Sequence, residues 1–235
     1  MLRFFQRLAQ CLSACWHLVK EALQMVHGIW HITGLPTSCI TIFGGSRLSQ
    51  ENAYAAKAEI IARTLVEQNF SILTGGGPGI MEAANCGAAE AGGSHRLVTL
   101  GFSIYGIVDE QTTNRCVGTS SKHLTLNYFF ARKWLLTQYS VGFCVFPGGL
   151  GTIDELSDVL NLMVTHKLPY APVVLIGKEF WQTYRTWISQ ARAHGLIPED
   201  HEPNLLITDD PAEAVAYLTS HQQKNIPPRS KHHRD

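Results

Sequence analysis

The segment that decides the fold lies at residues 141–155 and reads Val-Gly-Phe-Cys-Val-Phe-Pro-Gly-Gly-Leu-Gly-Thr-Ile-Asp-Glu. Its first six residues are apolar or glycine, which is typical of a strand that is buried on both faces in the middle of a parallel sheet. A glycine-rich turn follows the strand and opens into a helical pattern. A strand, a tight turn and a helix in this order form the repeating unit of an α/β protein.

Similar strand and helix patterns alternate along the chain from residue 38, and they predict a doubly wound parallel sheet in three layers, α/β/α, with an extra N-terminal helix. Such sheets bind ligands beyond the carboxyl ends of their strands. Residues 103–122 are polar and irregular, so we expect a loop over that edge. The predicted strands are Cys39–Phe43, Phe70–Leu73, Arg96–Phe102, Val141–Phe146, Pro172–Ile176 and the weaker Leu205–Thr208. The predicted helices are Glu51–Gln68, Gly79–Ala91, Tyr128–Tyr139, Ile153–Thr165, Glu179–His194 and Ala212–His221.

The chain divides into three parts. Residues 1–36 form an N-terminal extension, in which apolar residues recur at spacings of three and four and predict an amphipathic helix. We expect this helix to pack on the core or on a second subunit, and binding to a membrane surface is the alternative. Residues 37–223 form the α/β domain, and residues 224–235 are a basic tail that we expect to be disordered. The N-terminal pattern matches neither a signal peptide nor a stable membrane insertion.

Composition excludes several classes of protein. The chain has 235 residues, of which 45% are hydrophobic, with 19 Lys and Arg against 19 Asp and Glu. An ordinary apolar fraction and a balanced charge argue against disorder and against a strongly basic nucleic-acid-binding protein. Residues 37–223 contain 12 cationic and 17 anionic side chains, a net charge of −5. An anionic ligand must therefore be held by local groups.

The six cysteines include no CxxC motif, and the eleven histidines include a single HxxxH pair, His27 and His31, on the predicted N-terminal helix. Two of the cysteines, Cys39 and Cys144, lie inside apolar strand patterns. We interpret all six as reduced thiols in a cytoplasmic protein without a metal site. The remaining four are Cys11, Cys15, Cys86 and Cys116.

Glycine-rich junctions follow three of the predicted strands. The first, Phe-Gly-Gly-Ser-Arg at residues 43–47, is an ordinary turn or a binding loop in which Ser46 offers a hydroxyl. The second, Thr-Gly-Gly-Gly-Pro-Gly-Ile-Met-Glu at residues 74–82, exposes backbone N–H groups and permits a close approach of a ligand. Its glycines have neither the dinucleotide-binding nor the Walker spacing. Close packing of helix and strand is its alternative explanation.

The third junction, within residues 147–155, carries the strongest chemical signal. Its glycines leave backbone N–H groups free at the start of a helix, where the helix dipole favours an anion such as a phosphate. Asp154 and Glu155 are consecutive, so they point about 100° apart on a helix and cannot form a facing carboxylate pair. The pattern Thr152-x-x-Glu155 also fits a capping box, in which Glu155 would only bind backbone N–H. Spacing alone leaves both alternatives open.

Two adjacent cations, Arg132 and Lys133, lie in the otherwise aromatic and apolar segment 127–134. Their side chains either extend along the apolar surface to reach solvent or line an anionic pocket.

Together these motifs resemble the LOG ("Lonely guy") family of cytokinin riboside 5′-monophosphate phosphoribohydrolases, often labelled lysine decarboxylases. The resemblance rests on Gly-Gly-Gly-x-Gly-Ile-Met at 75–81, Phe-Ala-Arg-Lys at 130–133 and Pro-Gly-Gly-x-Gly-Thr-x-x-Glu at 147–155, in order within residues 37–220, and it is closest to the longer bacterial branch. It implies a Rossmann-like fold, a homodimer or larger oligomer, and hydrolysis of AMP or N6-substituted AMP to the free base and ribose 5-phosphate. No cofactor is implied.

The resemblance also implies the roles of individual residues. Arg132 and Glu155 match the catalytic pair of the family. The residues that match its substrate-binding positions are Ser46, Gly76, Gly77, Met81, Glu110, Arg132, Lys133, Gly148, Gly149, Gly151 and Thr152. The alternative function is a non-catalytic nucleotide-binding or molybdenum-cofactor carrier on the same fold. A pyridoxal-phosphate-dependent decarboxylase is excluded, because its cofactor-lysine motif and its usual length are missing.

Overall fold

A computed structural model describes residues 2–93, 96–106, 116, 120–197 and 205–220. These residues form a seven-stranded sheet in which every neighbouring pair of strands is parallel, in the order β4-β3-β2-β1-β5-β6-β7. The strands are β1 (Cys39–Phe43), β2 (Ser71–Thr74), β3 (Thr99–Ile104), β4 (Ser121–Leu126), β5 (Ser140–Val145), β6 (Val173–Ile176) and β7 (Leu205–Thr208). The helices are α1 (Leu2–Thr33), α2 (Ala53–Glu67), α3 (Ile80–Gly92), α4 (Phe129–Gln138), α5 (Leu150–Val164), α6 (Lys178–Ala193) and α7 (Pro211–Ser220).

Helices cover both faces of the sheet, as the sequence predicts for a doubly wound three-layer α/β fold. In β1, Ile40 and Ile42 belong to the hydrophobic cluster that includes buried residues of α2, α3 and α7. Cys39 and Phe43 point to the opposite face and join the cluster that includes α4 and α5. Every residue of β1 is buried, which explains why the strand is apolar apart from Thr41, whose hydroxyl donates to the Leu136 carbonyl at 2.9 Å.

The strand order reverses at β1. The chain moves from β1 through β2 and β3 to β4, returns to the other side of β1 as β5, and continues outward to β6 and β7. The crevice between the carboxyl ends of β1 and β5 is therefore a topological switch point, the place where open parallel sheets bind their ligands.

Strand β4 was not predicted, and the expectation of a loop over residues 103–122 is wrong at both ends. Strand β3 continues to Ile104, and β4 begins at Ser121. Strand β4 is the edge of the sheet, so its burial alternates and its sequence mixes polar and apolar residues. A search for continuous apolar runs does not detect such a strand.

Helix α1 is much longer than its contact with the rest of the protein. Residues 3–20 are all exposed, whereas Glu21, Gly28 and Ile32 are buried against the α/β domain. A Cβ atom on Gly28 would lie 2.6 Å from Leu135 Cδ1, so this glycine permits a close approach of α1 to α4. None of the helices in the described ranges is long and apolar enough to cross a bilayer.

One pair of cysteines contradicts the prediction of six reduced thiols. Cys86 of α3 and Cys116, which lies between β3 and β4, form a disulfide with a Cα–Cα distance of 5.0 Å. The two residues are 30 positions apart in sequence, so only the tertiary fold brings them together. Cys11 and Cys15 are exposed free thiols, and Cys39 and Cys144 are buried ones. Burial raises the pKa of the Cys39 thiol to about 12.

The disulfide predicts the number of reactive thiols in three states of the protein. Without reductant, a maleimide reagent should label two thiols in the native protein, four after denaturation, and six after denaturation and reduction. Reduction should also lower the free energy of unfolding by about 3.6 kcal/mol, the contribution of a cross-link that closes a loop of this length. Labelling of six thiols before reduction would contradict the disulfide.

Candidate active site

The three glycine-rich junctions pack against one another at a single edge of the sheet. They follow β1, β2 and β5, which are neighbouring parallel strands whose carboxyl ends share that edge. The backbone N–H of Gly45 donates to the carbonyl of Pro147 at 2.9 Å, and that of Ile80 donates to the carbonyl of Gly45 at 3.2 Å. The first junction is therefore hydrogen-bonded to both of the others.

Two glycines make this contact possible. A Cβ atom on Gly148 would lie 2.1 Å from Thr152 Oγ1 and 3.0 Å from the backbone nitrogen of Gly45. Gly79 has a φ of 70°, and a Cβ atom there would lie 2.4 Å from the carbonyl oxygen of Gly45. Any side chain at these two positions would push the junctions apart.

Helix α5 begins inside the third junction, earlier than the predicted start at Ile153. Gly149 is its N-cap residue and Leu150 is its first helical residue. The N–H groups of a first helical turn have no acceptor within the helix, and they carry the positive end of the helix dipole. Gly149, Leu150 and Gly151 are exposed, and a Cβ atom on either glycine would meet nothing within 4 Å. This geometry can bind an anion.

The start of α5 also excludes the capping box. Thr152 is the third residue of the helix rather than its cap, and Gly149 makes no side-chain capping bond. Glu155 does not turn back to the helix start, because its carboxylate accepts a hydrogen bond from the Arg132 guanidinium. Glu155 is thus directed toward α4.

Arg132 of α4 and Glu155 of α5 form a largely buried ion pair, with 14% and 8% of their side chains exposed. The Arg132 guanidinium carbon also lies 5.4 Å from the ring centre of Phe129, a favourable cation–π position. Burial raises the pKa of Glu155, although the positive charge of Arg132 opposes that rise. A carboxyl group with these surroundings is a candidate acid–base residue.

The second junction brings further predicted residues to the same place. A Cβ atom on Gly75 would lie 3.4 Å from Arg132 Nη1 and 2.9 Å from Met81 Sδ. A Cβ atom on Gly77 would lie 2.6 Å from Met81 Cε and 3.9 Å from Ser46 Cβ. Gly75 therefore lies close to both the Arg132 guanidinium and Met81, and the predicted residues Gly77 and Ser46 follow next to Met81.

Gly76 has a neighbour that sequence analysis missed. His123 Nε2 lies 2.7 Å from the carbonyl oxygen of Gly76, whose φ of 68° favours glycine. Burial lowers the pKa of His123, so the neutral ring donates from Nε2 to this carbonyl. His123 thereby supports the second junction from behind. No sequence signal could identify it, because it lies on the unpredicted strand β4.

Lys133 is directed away from Glu155. Its ammonium group lies 3.0 Å from Asp154 Oδ1 and 3.8 Å from Asp158 Oδ2, both on α5. The consecutive cations of α4 therefore pair with the consecutive acids of α5, one pair inside the site and one at the surface. In this structure Lys133 contacts α5 rather than the open space at the helix start.

Glu110, the remaining predicted substrate-binding residue, lies outside the described residues. The described part of the chain contains no group of three or more His, Cys, Asp or Glu side chains that could hold a metal ion.

A model of the family described as "Possible lysine decarboxylase" matches residues 81–218, a span that includes Met81, Arg132 and Glu155. The curated relatives include a probable cytokinin riboside 5′-monophosphate phosphoribohydrolase, LOG4, from Oryza sativa subsp. japonica. It is 26% identical over 188 residues, which cover 78% of this chain and 77% of the relative. This chain belongs to the LOG family.

Other relatives are bacterial. The cytokinin riboside 5′-monophosphate phosphoribohydrolase of Rhodococcoides fascians is 24% identical over 189 residues, covering 77% of this chain and 89% of the relative. The pyrimidine/purine nucleotide 5′-monophosphate nucleosidase of Escherichia coli K12 is 25% identical over 210 residues, covering 87% of this chain but 44% of the relative. Among solved structures, the molybdenum cofactor carrier protein of Chlamydomonas reinhardtii has a TM-score of 0.57 at 21% identity, covering 80% of this chain and 99% of its own. That likeness shows the fold alone.

Two neighbouring glycines test the geometry of the third junction. Gly148→Ala should lower the free energy of unfolding by about 1–3 kcal/mol, because the new methyl group overlaps Thr152 and the first junction. Gly149→Ala is the matched control, since its methyl group meets open space. Urea denaturation of both variants measures the difference. Equal stabilities would contradict the close packing of the two junctions.

The titration of Glu155 tests the electrostatics of the site. In a ¹³C-glutamate NMR titration, with the resonance assigned through Glu155→Gln, the midpoint should lie above the ordinary glutamate pKa of about 4.3. Arg132→Gln should raise the midpoint further, because it removes the positive charge that favours the ionised carboxylate. A midpoint that falls in Arg132→Gln would refute this account of the pair.

Proposed function

We propose that this protein hydrolyses the N-glycosidic bond of a nucleoside 5′-monophosphate, AMP or an N6-substituted AMP such as a cytokinin riboside monophosphate, to give the free base and ribose 5-phosphate. The observation that carries the proposal is the position of the buried Arg132–Glu155 pair beside the open, glycine-lined start of α5. The names of the relatives from Oryza sativa and Rhodococcoides fascians support the same reaction.

The 5′-phosphate occupies the start of α5 in this proposal. The free N–H groups around Gly149 and Gly151 donate to its oxygens, and the helix dipole favours its charge. Thr152 is buried behind the turn and helps to hold its shape. Because residues 37–223 have a net negative charge, this local arrangement must supply the attraction for the anion.

The phosphate then positions the ribose against Glu155. Glu155 lies five residues after Leu150, which corresponds to about 7.5 Å along the helix axis. A 5′-phosphate held at the first turn thus leaves its sugar near the carboxylate. Binding energy at the phosphate, which does not react, holds C1′ in the reactive geometry.

Glu155 acts on the reacting carbon. As the C1′–N bond breaks, positive charge develops on the sugar, and an ionised carboxylate stabilises it. The same carboxylate orients the attacking water and accepts its proton, so that the ribose gains a hydroxyl group at C1′. The base leaves with the electron pair of the C1′–N bond and takes up a proton from solvent, to which Glu155 then releases its own. A pKa raised by burial makes Glu155 a better proton acceptor at neutral pH.

Arg132 and the second junction complete the site. The guanidinium keeps enough of the Glu155 population ionised and can donate to a ribose or phosphate oxygen. Met81 and, next to it, Gly77 and Ser46 are proposed to contact the nucleotide. We further propose that Lys133 acts indirectly, by anchoring α4 to α5 through Asp154.

A non-catalytic nucleotide or molybdenum-cofactor carrier is the second candidate, because carriers of this fold are among the structural neighbours. The two candidates differ in one product. Chromatography after incubation with AMP should show free adenine for the hydrolase and unchanged AMP for a carrier. A panel of AMP, prenylated AMP, GMP and CMP then defines the preferred base. That the protein forms a homo-oligomer and that it is cytoplasmic both stay predictions.

Glu155→Gln tests the catalytic role directly. The variant should lose at least about 100-fold in kcat for adenine release, since one such electrostatic contact contributes about 3 kcal/mol to the transition state. Its AMP affinity in calorimetry should stay within about threefold, because the phosphate contacts are intact.

Glu67→Gln is the matched control, an identical chemical change on an exposed side chain of α2. It should keep kcat within a few-fold of the wild-type value. Full turnover by Glu155→Gln, or an equal loss in both variants, would overturn the assignment.

A further inference from the structure

Helix α1 carries an exposed apolar stripe along most of its length, and the Lys20 ammonium lies 5.2 Å from the ring centre of one member, Trp16. The stripe, called the outer seam here, consists of residues spaced alternately four and three apart, and most of its large side chains are more than half exposed. Its members are Phe5, Ala9, Leu12, Trp16, Val19, Leu23, Val26 and Trp30.

The outer seam points away from the α/β domain. The residues of α1 that are buried against the domain include Glu21, Gly28 and Ile32. Leu23 and Trp30 each follow one of these residues by two positions, which places them about 200° further around the helix. A partner can therefore lie along the outer seam without meeting the domain that α1 carries.

We propose that the outer seam binds the same seam of a second copy of this chain, in an antiparallel helix pair. Alternating spacings of four and three give an average period of 3.5 residues. Two helices with this period keep one stripe in contact along their length by supercoiling around each other. It spans 25 residues, or about 38 Å. A membrane surface imposes no such period, and the seam lacks flanking cations between Arg7 and Lys20.

The seam is complementary to itself in the antiparallel direction. With the two-fold axis between residues 17 and 18, Trp16 faces Val19 of the second copy and Leu12 faces its Leu23. The same register pairs Ala9 with Val26 and Phe5 with Trp30. Each layer joins residues from the two alternating positions of the repeat, as antiparallel packing of such helices requires.

Charge favours the same direction. Residues 3–20 carry Arg3, Arg7 and Lys20 and no acid, whereas residues 37–223 have a net charge of −5. Antiparallel pairing places the basic half of each α1 beside the acidic domain of the other copy and keeps the two acidic domains apart.

The exposed area is sufficient for a stable dimer. Phe5, Trp16 and Trp30 are 59–76% exposed, and aromatic side chains of this kind bury about 150–250 Å² each when fully enclosed. Together with the five smaller side chains, the seam offers roughly the 800 Å² per partner of a standard interface.

Particle mass tests the proposal. Glutamate is a good helix former, so a variant with Leu12→Glu and Leu23→Glu should keep α1 helical. In the proposed pair its two glutamates face each other and repel. The variant should therefore have half the wild-type mass in light scattering after gel filtration. The control with Gln6→Glu and Ser13→Glu carries the same added charge off the seam and should keep the wild-type mass. Far-UV circular dichroism should show equal helix content in all three proteins.

A wild-type mass that is unchanged in the Leu12→Glu and Leu23→Glu variant would overturn the proposal. So would a monomeric wild-type protein that co-sediments with vesicles of phosphatidylcholine and phosphatidylserine. Neither outcome depends on catalysis by Glu155, so a failure of the proposed helix pair can be distinguished from a failure of the proposed hydrolase activity.

Cross-linking tests the direction of the pair. In a background with Cys11→Ser and Cys15→Ser, the combination of Ala9→Cys and Val26→Cys should form dimers with a short bis-maleimide. Ala9→Cys alone should not, because the two copies of position 9 lie about 25 Å apart along the antiparallel pair. A cross-link through position 9 alone would overturn the antiparallel arrangement.

Discussion

The ion pair between Arg132 and Glu155 is the interaction on which the proposed chemistry of this protein depends. It joins α4 to α5 across the carboxyl edge of the sheet, in a place where both side chains are largely withdrawn from solvent. Removal of one partner from such a pair costs about 3–5 kcal/mol, because an uncompensated buried charge remains. The pair therefore links two helices and also contains the carboxylate to which the proposed function assigns the reaction. It directs the carboxylate toward α4 and away from the start of its own helix.

The glycine-rich junctions make this placement possible. Their backbones are hydrogen-bonded to one another, so the strands β1, β2 and β5 deliver three turns to one small region. His123 on the edge strand supports the second turn through the Gly76 carbonyl. Residues far apart in sequence thus form one rigid cradle, whose open side is the start of α5.

The outer seam and the candidate active site lie on different parts of the molecule and need different kinds of side chain. The candidate active site needs buried, oriented polar groups, whereas the outer seam needs a regular apolar repeat along one helix. The first is built on the α/β domain that the chain shares with other LOG-family proteins. The outer seam is built on α1, in which residues 3–20 are all exposed.

The sequence by itself determined the α/β class, the strands from β1 to β7 other than β4, and the three junctions, because apolar runs and glycine turns are local signals. It also indicated an anion at the third junction. It left open whether Glu155 caps its own helix, and only tertiary structure decided this by bringing Arg132 of α4 within hydrogen-bonding distance. Strand β4, His123 and the Cys86–Cys116 disulfide were likewise decided by the fold. An edge strand has no continuous apolar run, and contacts between residues distant in sequence have no local pattern.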